Sequence, residues 1–209
     1  MKWLGIDEAG RGCVLGDLVV AGFLYEGDDP ASLAALGATD SKKLSSKRRL
    51  EAREKLSTAG TPIIERVTPA QIDAGNLNHL EEQAIAGIIQ RTRPDMVIID
   101  ALGHPSTLPA TIQRLLQAVS PLSPNIIMEP KADLSYAVCG AASIFAKTDR
   151  DMALEELKAQ YGTLGSGYPS DPKTKAWLQA HANTGSPWPP FVRTRWGTVR
   201  ALSQTSLLT

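Results

Sequence analysis

Histidine and cysteine are scarce in this chain, aromatic side chains make up 5% of its 209 residues, and no long apolar run occurs. Each shortage excludes something. The two cysteines, Cys13 and Cys139, lie far apart and show neither a disulfide framework nor metal-ligand spacing, so a reducing cytoplasm is the expected location. The three histidines, His79, His104 and His181, are scattered without HxxxH spacing, which speaks against a zinc hydrolase. No GxSxG elbow, paired Cys/His arrangement or Walker loop is present. The apolar start, Trp3 to Ile6, is interrupted by Asp7 and is too short for a signal segment. The weakly polar run Ala137 to Ala146 includes Gly140 and Ser143 and is about half a bilayer span, so no membrane association is expected.

Net charge is also absent, with 22 basic and 22 acidic residues, yet the charges are unevenly placed. After Asp171 there is no acidic residue, while Lys173, Lys175, Arg193, Arg195 and Arg200 are all basic. An acidic body therefore carries a basic end, the pattern of a phosphate-contacting tail beside carboxylates reserved for cations.

What is present is an alternation of strand and helix signals, which indicates an α/β protein. Lys2 to Asp7 and Asp17 to Tyr25 read as a hairpin joined by a glycine-rich turn, and Thr61 to Val67, Met96 to Ile99 and Asn125 to Met128 as further strands. Helices are expected over Ser46 to Ala59, Leu77 to Thr92, closed by Pro94, then Thr107 to Val119 and Tyr136 to Ala146. From about Gly162 the texture becomes turn-rich, with one short helix near Lys173 to Ala182. Trp177, Trp188 and Trp196 there suit a small satellite core better than base stacking. The expected division is a catalytic domain over 1–160 and a C-terminal substrate-binding appendage over 161–209 packed on it.

Four acids stand at element ends rather than on solvated faces. Asp7 and Glu8 close the first strand, Asp100 closes Met96 to Ile99, and Asp133 opens the apolar helix. Neighbouring strand side chains point to opposite faces, so Asp7 and Glu8 share one site only if the chain turns there, which Gly10 and Gly12 permit. Gathered carboxylates repel one another unless cations are bound, and hard oxygen ligands select Mg²⁺ or Mn²⁺.

The segment GIDEAGRG at Gly5 to Gly12 resembles the N-terminal signature of type 2 ribonucleases H, and DSKKL at Asp40 to Leu44 the family's next block. VIID ending at Asp100, KAD ending at Asp133, AASIFAK at Ala141 to Lys147, and GSGYPSDPKT at Gly165 to Thr174 follow in the family's order. The wording is closer to the archaeal and eukaryotic-type branch. Departures at Phe145, Thr148 and Asp149 avoid the chemistry, and the match weakens beyond Thr174. An ordered set of blocks is far more specific than one motif.

This resemblance implies an RNase H-like mixed sheet of about five strands flanked by helices, with a small helical C-terminal region. It implies an endonuclease that hydrolyses the RNA strand of RNA/DNA hybrids and cuts 5′ of ribonucleotides embedded in duplex DNA, leaving 5′-phosphate and 3′-hydroxyl ends. Asp7, Glu8, Asp100 and Asp133 become catalytic ligands of two divalent ions, Mg²⁺ or Mn²⁺. Gly10, Arg11 and Gly12 grip the backbone around the ribose 2′-hydroxyl, and Tyr168 stacks near the junction sugar. Lys42 and Lys43 resemble phosphate contacts, and Asn78 a substrate-binding asparagine. At the C-terminus Gln204, Leu207 and Leu208 faintly resemble the start of sliding-clamp-binding peptides without their closing aromatic pair; otherwise a monomer is expected. Two other readings stay open: another two-metal carboxylate nuclease of this fold, and a non-catalytic hybrid-binding module, against which all four carboxylates are present.

Overall fold

The computed structural model describes residues 1–38, 44–101 and 103–205. Five strands form one mixed sheet in the order β3-β2-β1-β4-β5. The hairpin is β1 (Lys2–Ala9) and β2 (Leu18–Glu26), and β3 (Thr61–Val67) extends it antiparallel. On the other side of β1, β4 (Met96–Asp100) and β5 (Asn125–Glu129) run parallel to it. The expected α/β class and mixed five-stranded sheet are therefore what the chain forms.

Strand alternation divides the core in two. Trp3, Ala9, Val19, Ala21 and Ile98 face one layer, where α6 (Ala137–Tyr161) and α1 (Ser46–Ser57) pack. Leu4, Ile6, Val97 and Ile99 face the other, against α3 (Leu77–Thr92) and α4 (Leu108–Ala118). Gly5 explains how closely α6 lies on β1: a Cβ there would stand 2.1 Å from the Val138 carbonyl oxygen. Any side chain at that position would push the helix off the sheet.

Several boundaries differ from the sequence expectation. The apolar helix does not end at Ala146 but runs to Tyr161, because Leu154 and Leu157 in its charged second half pack into a third cluster with Leu164, Leu178 and Phe191. Asp133 does not open that helix. It lies in a separate turn, α5 (Ala132–Ser135), entered through Lys131 at φ 63° and left through an extended Tyr136. Helices that the sequence patterns do not predict include α2 (Pro69–Ala74), opened by a Thr68/Gln71 capping box, and α8 (Gly197–Thr205), after α7 (Pro172–Ala182). Trp177, Trp188 and Trp196 all pack against the third cluster, as a satellite core requires. No helix among the described residues is long and apolar enough to cross a membrane.

Candidate active site

The parallel register of β1 and β4 places the acids. Ile6 pairs with Ile99 and both face the α3 layer. The next residue of each strand, Asp7 and Asp100, must then face the α6 layer. Turn α5 brings Asp133 to the same end, and oxygens of these three aspartates lie within 4.8 Å of one another. Asp7 and Asp133 are buried, at 4% and 2% exposure.

Asp100 and Asp7 are held by different partners. Asp100 Oδ1 accepts the Ala101 and Ala132 amides, both at 3.1 Å, tying β4 to α5. Asp7 Oδ1 accepts the Glu8 amide at 2.8 Å, and Lys147 Nζ stands 3.6 Å from its other oxygen. Lys147 is also bonded to Ser143 one turn back on α6. Burial pushes the Asp7 carboxyl above its usual range, opposed by Lys147 and Ser143 and reinforced by Asp100. Glu8 is pushed up to about 8, by burial first, then by Asp7 and Asp100, against the pull of Arg11 and Lys147. Behind the acids, burial holds the Cys139 thiol well above its usual value, and all three aspartates add to it.

The chain does not turn between Asp7 and Glu8, contrary to expectation: β1 continues through Ala9. Glu8 accordingly falls outside the close group of three, yet both acids line one cleft of about 420 Å³ at the strand end. Gly10, Arg11, Gly12 and Tyr168 line the same cleft. Gly10 adopts φ 85°, a conformation that favours glycine, and starts the turn closed by the Cys13 amide on its carbonyl. A Cβ at Gly12 would touch the Tyr168 ring at 3.7 Å, so the loop and the tyrosine meet. The Arg150 guanidinium lies 5.1 Å from the centre of the Tyr168 ring, and Arg150 also bonds Cys13 and the Ser166 carbonyl. One cation thus joins the early loop to the Gly165–Thr174 turn.

Asn78 is on α3, where its side-chain oxygen accepts a hydrogen bond from Arg11. Lys42 and Lys43 lie outside the described residues, as do Leu207 and Leu208. Sequence reasoning missed Glu81, fully buried on α3 and ion-paired with Arg11, and the cleft-lining Arg49, Lys147, Arg150 and Asp151. Three of these had a signal, since Lys147 ends the AASIFAK block and Arg150 and Asp151 follow it. Arg193 is a correction. Expected to contact phosphate from an exposed tail, it is fully buried and donates to three backbone carbonyls. Arg195 is exposed.

Carboxylates collected at the carboxyl ends of parallel strands, beside a glycine loop and a basic rim, on this mixed sheet match the arrangement of nucleases of the RNase H-like class. Comparison with known proteins narrows this. The profile of the family described as Ribonuclease HII matches residues 4–199, well past Thr174 where the motifs fade. A ribonuclease HII of Aeropyrum pernix is 41% identical over 205 residues, covering 95% of this chain and 89% of that protein. The ribonuclease H2 structure from Pyrococcus horikoshii superposes with a TM-score of 0.91 at 34% identity, covering 100% of both chains. The ribonuclease HII in a PCNA complex from Archaeoglobus fulgidus does so with a TM-score of 0.85 at 37% identity, covering 96% of both. The chain belongs to the ribonuclease HII family, enzymes that cleave the RNA of RNA/DNA hybrids and cut at embedded ribonucleotides.

Proposed function

We propose that Asp7, Glu8, Asp100 and Asp133 hold two divalent ions, Mg²⁺ or Mn²⁺, and that cleavage falls on the 5′ side of a ribonucleotide, leaving 5′-phosphate and 3′-hydroxyl ends. The close approach of three aspartate oxygens, within 4.8 Å, carries this reading. An all-oxygen, all-carboxylate donor set fits hard cations, and the upward shifts of Asp7 and Glu8 reflect burial first and carboxylate repulsion after it, both of which a bound cation would offset. Such ions supply an activated water and neutralise charge on the leaving oxygen.

The protein's own groups do the rest. Two backbone amides fix Asp100 and one amide fixes Asp7, so the ligand oxygens are oriented before substrate arrives. Lys147 beside Asp7 keeps some of that carboxylate's charge compensated in the meantime. The Gly10–Gly12 loop reads the 2′-hydroxyl, the group by which a ribonucleotide differs from a deoxyribonucleotide. Tyr168, 39% exposed and braced by Arg150, packs on the junction sugar. Asn78 acts through Arg11, whose side chain it binds. Lys42 and Lys43 are assigned to phosphate.

A monomer acting in the cytoplasm suits this reading, with residues 161–209 as a substrate-binding appendage to a catalytic unit over 1–160. A weak sliding-clamp contact at the C-terminus is supported by the Archaeoglobus fulgidus relative solved with PCNA. The deciding experiment is cleavage of a hybrid, a duplex with one ribonucleotide and the matching all-DNA duplex, in Mg²⁺ and then Mn²⁺, with ends mapped. Cutting 5′ of the ribonucleotide with the all-DNA duplex intact is expected. Comparable cutting of both duplexes would defeat the assignment.

A further inference from the structure

Arg193 is the only charged residue among the largest fully buried side chains of the described residues. Its Nη2 donates to the Gly10 carbonyl at 2.8 Å, its Nη1 to the Arg11 carbonyl at 2.9 Å and its Nε to the Gly16 carbonyl at 3.0 Å. A guanidinium presents its donors in one rigid plane, so three carbonyls meeting it are fixed relative to one another.

That has a consequence on the far side of each peptide. A trans peptide is planar, with its N–H directed opposite its C=O. When the Gly10 and Arg11 carbonyls turn toward Arg193, the amides of Arg11 and Gly12 must point away from it. Away from the buried guanidinium is the cleft that Gly10, Arg11 and Gly12 line. No backbone carbonyl among the described residues accepts from either amide. A cation on a carbonyl also polarises the peptide and makes its N–H a stronger donor.

Arg193 is itself anchored. Its amide donates to the Val14 carbonyl at 2.9 Å, and Val192 bridges to Leu15. Just beyond, Asp73 of α2 accepts the Thr194 amide at 2.6 Å, the Thr194 hydroxyl at 2.7 Å and the Arg195 amide at 3.1 Å. The stretch from Phe191 to Arg195 is therefore a strap laid behind the loop, pinned at both ends.

We propose that Arg193 is a positioning residue for ribonucleotide specificity: from behind, it presents the Arg11 and Gly12 amides to the 2′-hydroxyl. The inference rests on the reading that this loop meets that hydroxyl. It separates Arg193 from the carboxylate chemistry, since it bonds none of the four acids.

The test measures binding by the metal-free enzyme, which cannot turn over, to a duplex with one ribonucleotide and to the matching all-DNA duplex. One or two hydrogen bonds to the hydroxyl should make wild type bind the first about tenfold more tightly. In Arg193→Gln that ratio should collapse to within about twofold, while all-DNA affinity and the Mg²⁺-induced rise in melting temperature stay at wild-type values. Arg193→Lys, which keeps the charge and reaches fewer carbonyls, should give an intermediate ratio. It carries the comparison if the Gln variant does not fold. A wild-type ratio preserved in the variants would overturn the proposal. So would a parallel fall in all-DNA affinity and metal response, because Arg193 would then be scaffold only. A ratio near one in wild type would instead defeat the reading of the loop.

Discussion

Replacing Asp7 with Asn tests the carboxylate site where its physics is sharpest. Asp7 is 4% exposed, its carboxyl is destabilised as an anion chiefly by burial, and one of its oxygens belongs to the close group of three. Asn keeps the shape and removes the charge, so the metal-free variant should be no less stable than wild type, although Lys147 loses a partner at 3.6 Å. Metal should act oppositely. At a concentration of about 100 Kd, a ligand specific for the folded state adds about 2.7 kcal/mol. For a protein of this size that raises the melting temperature by about 5–11 °C. If losing Asp7 weakens binding about tenfold, the same metal concentration adds only about 1.4 kcal/mol, and about 0.4 kcal/mol if the loss is about a hundredfold. Thermal denaturation of both proteins across a Mg²⁺ or Mn²⁺ series reads this directly, with turnover expected to vanish in the variant. Equal metal-induced shifts in the two proteins would refute the carboxylate site.

Four further outcomes follow from other residues. Glu8 has a folded pKa of about 8 against 4.5 when free, so the folded state holds the extra proton between those values. Metal-free stability should therefore fall as pH rises from about 4.5 to 8, and Glu8→Gln should flatten that slope in melting curves taken with chelator. Tyr168→Phe should keep most activity and Tyr168→Ala lose most of it if ring packing on the sugar matters; equal losses would assign the role to the hydroxyl. Arg11→Ala leaves Glu81 charged and fully buried, and should cost about 3 kcal/mol in chemical denaturation, most of it recovered by adding Glu81→Leu. Arg195→Ala should lower the salt slope of hybrid binding by about one if that exposed arginine meets a phosphate, and an unchanged slope would leave it a solvated surface residue.

Legibility in the sequence followed how local each determinant is. β3 and α3 have the bounds their patterns predict, Thr61–Val67 and Leu77–Thr92, because alternation, helical spacing and Pro94 are all local. The strand-end acids were legible for the same reason. The second half of α6 was not, because its apolar residues are few and gain their meaning from Leu164, Leu178 and Phe191 far along the chain. Glu81 and Arg193 were hidden more deeply. A charged residue in a sequence reads as surface unless paired, and their partners, Arg11 and the carbonyls of Gly10, Arg11 and Gly16, become neighbours only once the chain has folded. The same rule misplaced Arg193, since a basic tail says how many charges it has and not which of them turn inward.

The site and the core are specified by one decision, the register of β1 against β4. Leu4, Ile6, Val97 and Ile99 are buried on the α3 face, and their alternation fixes which residues oppose each other. A slip of β4 by one residue would turn Val97 and Ile99 away from the α3 face and carry Asp100 to the face opposite Asp7. Burying aliphatic side chains on one face at about 1.5–3 kcal/mol each therefore enforces the approach of charges that repel on the other. On β1, Gly5 makes the matching approach possible from the α6 side: only a bare Cα lets the Val138–Cys139 backbone lie against the strand, and the same helix carries Lys147 to Asp7. A Gly5→Ala substitution should accordingly damage the carboxylate site before it damages the sheet: the metal-induced rise in melting temperature should shrink while far-ultraviolet circular dichroism stays close to wild type. An undiminished metal response in Gly5→Ala would show that the site does not depend on this close contact.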